Sequence, residues 1–562
     1  MRWSAKPRHG AVPAVEIPNG AAEVDGWQST IAAAGSLSRG RAMVMGIGVR
    51  AAMAVMLLIG FYVLGIGLLV AAVGLDVLML YGHAPVFDLL FGLPFTAVAF
   101  IVVGQSFHAS LLLPAREIIG IAVPESQQPA IWCTVREAAA AAGTAPPEFL
   151  WIDSRLNASV FEQTRWLGLR SGPRHLVIGA PILIALSPAK LDAVLAHEFG
   201  HFAHRDTRLL PVIMRGRAGL AGALHTTSFF TTDSVDNGRW LLHLQQVIVR
   251  LIHAYAVRFL TVTQNISRAQ EYAADRISAE LCGRETAACA ISEIQAYQAA
   301  YRHFRERFAD AATGLGLVPH PEALFPGFGR MLDEPHWQRV VESERRAPSS
   351  QTPTRFDSHP PIADRVSALR ALPDDGRTLD TSRSRAIDQF DDAQALLAAV
   401  AGREKRRIDK HPVDWDTLVD AVARVHIRKA AARLVDAMHL IKRDTPVLGD
   451  FFDYVEAGQM ETLLYRLLTP AQARYAPSGS VALEVGGKVL ASALPAWITL
   501  ELSEAGLVRW KHSWSKVAIR DTVGAPEGID AALAALLNTE PSHAAPTATA
   551  LREILKNAGV RV

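Results

Sequence analysis

HEFGH, residues 197–201, places two histidines four positions apart around a glutamate. On an α-helix, residues so spaced share a face with Cβ atoms about 5–6 Å apart, and two imidazoles there reach one zinc ion at about 2.0–2.1 Å per nitrogen. Glu198 projects from the neighbouring side of the same helix, where its carboxylate suits the base that takes a proton from an attacking water rather than a ligand. A catalytic zinc takes three protein ligands and keeps an exchangeable position, so a third donor is expected elsewhere. The extended motif that would supply it locally needs Gly at 204 and His at 207, and the sequence has His204 and Thr207. His204 shares the histidine face, but a neutral histidine near a helix end is its simpler reading. Further along, SRAQEYAAD offers Glu271 and Asp275 one helical turn apart. Glu271 is the best third ligand, and Asp275 is placed to accept the second ring proton of a ligating histidine.

These side chains need elements to hold them. Ser187 is expected to cap, and Pro188 to open, a helix through LDAVLAHEFGHFAHRD. The run HLVIGAPILIAL, residues 175–186, is rich in β-branched residues and predicts a strand, with Pro181 pointing to an edge or bulged position where an extended peptide can dock. Residues 132–142 predict a helix and FLWID a strand, so the unit is α+β. In DSHPPIADR, His359 precedes two prolines and Arg365 follows six residues later. A rigid Pro-Pro turn can hold His359 toward a cleft, where it would donate to the oxyanion of a tetrahedral intermediate.

Taken in order, HEFGH, SRAQEYAAD and SHPPIADR resemble the HtpX-like and CAAX prenyl endopeptidase family of membrane zinc proteases, of gluzincin type. The resemblance spans residues 51–372 and implies Glu271 as the third ligand of one zinc ion per chain. It also implies that His359 and Arg365 stabilise the transition state, and that Asn157 and Ala158 in DSRLNASVF lie by the peptide-binding edge. The expected activity is a zinc-dependent endopeptidase acting on protein or peptide substrates, with membrane-protein quality control as a role. The alternative is a catalytically silent zinc-binding membrane scaffold, against which an intact Glu198 argues.

Residues 51–75 are apolar and uncharged, long enough for the roughly 30 Å hydrocarbon layer, and a second apolar stretch covers 87–113. Arg39, Arg41, Arg50 and Arg116 flank this pair while the loop between has no Lys or Arg, which places both flanks in the cytoplasm. The chain is therefore expected at the cytoplasmic membrane, multi-pass, with tail and catalytic unit on the cytoplasmic side. Leu241, Leu244, Ile248, Leu251, Tyr255, Phe259 and Val262 recur at helical spacing, for a helix that lies on the bilayer or covers the protease core. Residues 481–519 alternate as strands do. With 57 basic and 55 acidic residues, a net charge of +2 gives no field for nucleic acid, and three dispersed cysteines give no disulfide framework. The expected organisation is a flexible tail (1–42), a two-helix transmembrane anchor (43–115), a zincin-type metallopeptidase domain (116–372) and a mixed C-terminal module (373–562). The expected fold class is α+β, mainly helical.

Overall fold

The computed structural model describes residues 47–562 except 83–85, 87–91, 112–117, 164–171, 204–215, 217–218, 221–238, 349–359, 380–381, 383, 405–408, 443, 476–478 and 523–525. The expected tail, His204 and His359 lie outside the described residues. The fold is mainly helical with small sheets.

Two apolar helices come first, α1 (Ile47–Tyr81) and α2 (Leu93–Leu111). Tyr62 of α1 packs on Phe107 of α2 at 4.5 Å between ring centroids, and Gly65 of α1 faces Val103 of α2. Met56, Val63, Leu64, Val70 and Leu78 stand exposed along α1. A helix whose residues 51–75 carry no charge and whose apolar side chains face outward suits lipid rather than water.

A four-stranded sheet follows: β1 (Ile121–Ala122), then helix α3 (Pro129–Ala141), β2 (Phe149–Asp153), β3 (Ala158–Glu162) and β4 (Arg174–Gly179). Their order is β1-β2-β4-β3, with β4 parallel to β2 and antiparallel to β3. Two expectations change here. The strand expected over 175–186 stops at Gly179, because Pro181 enters the first turn of a short helix, α4 (Ala180–Ala185), where its missing N–H costs nothing. β4 is also interior, and the strand outside it is β3, the edge that begins at Ala158.

Helix α5 (Pro188–Ala203) carries HEFGH, as the Ser-Pro start predicts, although the hydroxyl of Ser187 makes no capping bond and only its carbonyl joins the helix, accepting from Leu191. Helix α6 (Arg239–Cys282) runs unbroken for 44 residues. Toward its start Tyr255 and Phe259 pack with Leu57, Leu58 and Phe61 of α1, and further along the helix lies against α5. Helices α7 (Arg284–Phe304), α8 (Pro321–Leu332), α9 (Pro335–Arg346) and α10 (Ile362–Arg370) complete this part.

The hydrophobic interior forms two main clusters. The first runs from Val123 to Ala401 and lies between the sheet and helices α3, α5, α7 and α8. The second gathers Val419 through Val560. Residues 481–504, which alternate in sequence, are helical (Gly479–Glu504), and a two-stranded hairpin, Val508–Ser513 with Val517–Thr522, follows. That helix is apolar enough to span a bilayer, but Leu490, Leu494, Trp497, Ile498 and Leu502 go into the second core instead.

Candidate metal centre

Leu191, Leu195 and Phe199, all fully buried, anchor one stripe of α5 in the first core, and this turns His197 and His201 to the opposite side, toward α6. There α6 presents Glu271 and Asp275, both buried. The Nε2 of His197 lies 3.5 Å from Glu271 Oε2, and the Nε2 of His201 lies 3.7 Å from Glu271 Oε1. One donor atom from each of His197, His201 and Glu271 falls within 4.8 Å of the other two. Ligands about 2.0–2.1 Å from a tetrahedral zinc are separated from each other by about 3.3 Å, and the two separations to Glu271, 3.5 and 3.7 Å, are within a few tenths of an ångström of that value. Two imidazoles and a carboxylate are also the donor types a catalytic zinc takes, and the group fits the metal.

Behind the donors lies a buried charged layer. Asp275 Oδ1 sits 3.0 Å from His197 Nδ1, which leaves Nε2 as the ring nitrogen facing Glu271. Arg365, from α10, donates to both oxygens of Asp275 at 2.8 and 2.5 Å, and its Nη1 is 3.0 Å from Glu271 Oε2. Its Nη2 lies 3.5 Å from both ring nitrogens of His197. Burial pulls the His197 imidazole down, but hydrogen bonds to Asp275 and Glu271 carry its pKa up to about 9. Burial pushes the Asp275 carboxyl up, yet Arg365 and His197 hold it below the usual carboxylate range. For Arg365 burial works against the charge, and Asp275 and Glu271 outweigh it.

A model of peptidase family M48 matches residues 125–372. That stretch is a peptidase family M48 domain. Protease HtpX homologs of Burkholderia mallei (strain SAVP1) and Burkholderia pseudomallei (strain 668) are each 31% identical to this chain over 178 residues, which cover 31% of it. The match spans 59% of each relative's own length. A crystal structure of S. mikatae Ste24p aligns with 56% of this chain and 67% of its own at 17% identity and a TM-score of 0.24, too low to establish a shared architecture. All three elements that converge on the donors, α5, the end of α6 and α10, lie inside the M48 domain.

The other residues singled out in the sequence fall as follows. Glu198 is half-buried on α5 beside His197. Asn157 is exposed and Ala158 opens β3, which runs against α5, and the Asn157 carbonyl accepts from Gly179 of the turn into α4. Arg365, expected to stabilise the transition state, is buried with its guanidinium on Asp275 and Glu271, where it orients both carboxylates.

Sequence reasoning missed a second buried ion group on α5. Lys190 Nζ reaches both oxygens of Glu293 at 2.8 Å, Arg345 Nε reaches Glu293 Oε1 at 2.7 Å, and Tyr297 donates to Glu293 Oε2 at 3.2 Å. These bonds tie the start of α5 to α7 and α9. The signal was available: Lys190, Val194, His197 and His201 follow one helical stripe, and a lysine there has to find a buried partner.

Proposed function

We propose that this chain is a membrane-anchored zinc-dependent endopeptidase, with His197, His201 and Glu271 as ligands of one zinc and Glu198 as general base. The observation that carries the reading is the approach of Glu271 to both imidazoles from a helix distant in sequence, with the half-buried Glu198 next to them. Zinc held there would supply Lewis acidity, lowering the pKa of a water and polarising a scissile carbonyl.

The chain's own residues do the rest. Asp275 holds His197 in one tautomer, and Arg365 keeps Asp275 and Glu271 charged and aimed. Glu198 takes a proton from the attacking water and passes it to the leaving amine, a role that contributes about 10²–10⁴-fold. An extended peptide lies along the outer strand β3, where Asn157 and Ala158 open the strand beside α5. His359 donates to the developing oxyanion. Helices α1 and α2 anchor the unit, with the catalytic side facing the cytoplasm and proteins of the same membrane as substrates for quality control.

The test compares wild type, Glu198→Gln and Glu271→Ala in detergent. Glu198→Gln is expected to keep stoichiometric zinc and lose cleavage of casein or a membrane peptide, whereas Glu271→Ala loses most of the zinc. A wild-type protein that holds zinc yet matches Glu198→Gln in showing no cleavage would instead support the silent scaffold.

A further inference from the structure

The gap between the histidines and Glu271 is fixed where α5 and α6 touch, and that contact is made by very small residues. A Cβ added at Gly200 would lie 2.9 Å from the Cα of Ala274, 3.1 Å from its Cβ and 3.4 Å from Ile277 Cδ1. The nearest of these atoms is backbone, which cannot rotate aside. One turn on from Ala274 along α6, the buried Ser278 Oγ donates to the Ala193 carbonyl of α5 at 2.7 Å, a second tie across the same interface.

Both contact residues adjoin the site. His201 follows Gly200, Asp275 follows Ala274, and Glu271 lies three residues before Ala274 on α6. We propose that Gly200 and Ala274 are positioning residues whose backbone contact sets the distance between the imidazole pair and Glu271. The inference rests on the reading of these three residues as a metal site.

Ordinary carbon–carbon contact needs about 3.5–4.0 Å, so a methyl at 200 would drive the helices apart by roughly 0.5–1 Å. Metal–ligand distances tolerate about ±0.2 Å. The displacement therefore exceeds what the ligand set absorbs, although no ligand has been removed.

The experiment uses the full chain in detergent and measures zinc affinity by chelator competition, the absorption spectrum of the cobalt-substituted protein, and thermal stability. Gly200→Ala is compared with Met331→Ala, which opens a cavity in the first core on α8, away from this contact. Gly200→Ala is expected to weaken zinc binding by about tenfold or more, in the range seen when residues that orient ligands are changed, and to alter the cobalt spectrum. Met331→Ala is expected to melt lower while binding zinc as wild type does.

Should Gly200→Ala not fold, Ser278→Ala loosens the same contact without adding bulk and is expected to weaken zinc binding several-fold. Wild-type affinity and spectrum in the folded variant, or losses in Gly200→Ala and Met331→Ala that simply track stability, would overturn the proposal. A wild-type chain that takes up no zinc would overturn the metal-site reading itself, and that result appears before any variant is compared.

Discussion

Around the first core the buried side chains include Asp153, Lys190, Glu271, Asp275, Glu293 and Arg365, whereas among the described residues of 415–562 the buried polar residue is Ser503 alone. Both regions are well packed: Phe199, Phe304 and Phe328 are fully buried in the first, Phe451 and Phe452 in the second. The difference lies in what is buried beside them. A charge taken from water is costly unless paired and hydrogen-bonded, so a region that buries Lys190 with Glu293, Glu271 and Asp275 with Arg365, and Asp153 with Arg155 is held to particular partners and distances. A region that buries hydrocarbon is held mainly by volume and shape. Buried, mutually perturbing charges also mark functional sites more often than apolar cores do, and among the described residues they gather in the first region.

The sharpest way to break this contrast is to damage both regions equally. Arg365→Met leaves Asp275 and Glu271 without their cation, and about 3–5 kcal/mol of stability is expected to be lost, together with zinc affinity. Phe452→Ala in the second core is expected to cost a similar 3–5 kcal/mol while zinc content stays at wild-type level. Chemical denaturation with metal analysis on both variants checks this. Zinc loss from Phe452→Ala equal to that from Arg365→Met would erase the distinction between the regions.

Asp275→Asn is a smaller perturbation. It keeps the shape beside His197 Nδ1 and removes the charge, and zinc affinity is expected to fall about 10–100-fold. Competition with a chelator at fixed pH measures it.

Per unit of pH the effect is the smallest. In the metal-free protein His197 carries its proton up to about 9, above its ordinary value, so a cation arriving at neutral pH must displace it. Zinc affinity is expected to rise about tenfold per pH unit up to about 9 and then to flatten, with close to one proton released on binding at pH 7 from this residue. For the metal-free fold the sign is opposite. The raised pKa contributes stability that is complete below the ordinary histidine value and fades as pH rises through about 9. Calorimetry in buffers of different ionisation heat reads the proton count, and melting curves of the metal-free protein read the stability.

The sequence carried α5 because local signals agree there: Ser187-Pro188 at the start, an apolar stripe, and HEFGH on the opposite face. The apolar stretches behind α1 and α2 were legible from length and missing charge. The strand over 175–186 was half right. β-branched residues run on past Gly179, and only the packing of Ala180, Pro181, Ile182 and Leu183 in the core shows that the chain has turned into a helix. Alternation in ITLELSE likewise resembles a strand, although a helix buried on most sides also carries apolar residues at odd and even positions, as Trp497, Ile498, Leu500 and Leu502 do. Arg365 was hidden for a different reason. Six positions after His359 it looks like part of one motif, and its pairing with Asp275, 90 residues earlier, is a tertiary fact that spacing cannot carry.

The account stands on His197, His201 and Glu271 sharing one ion. X-ray absorption at the zinc edge of the purified full chain, recorded for wild type and for Glu271→Ala, tests this most directly. One zinc per wild-type chain is expected, with two imidazole nitrogens and carboxylate oxygen in a shell at about 2.0–2.1 Å, and most of the metal is expected to be lost from Glu271→Ala. An unchanged zinc content and an unchanged shell in Glu271→Ala would contradict it.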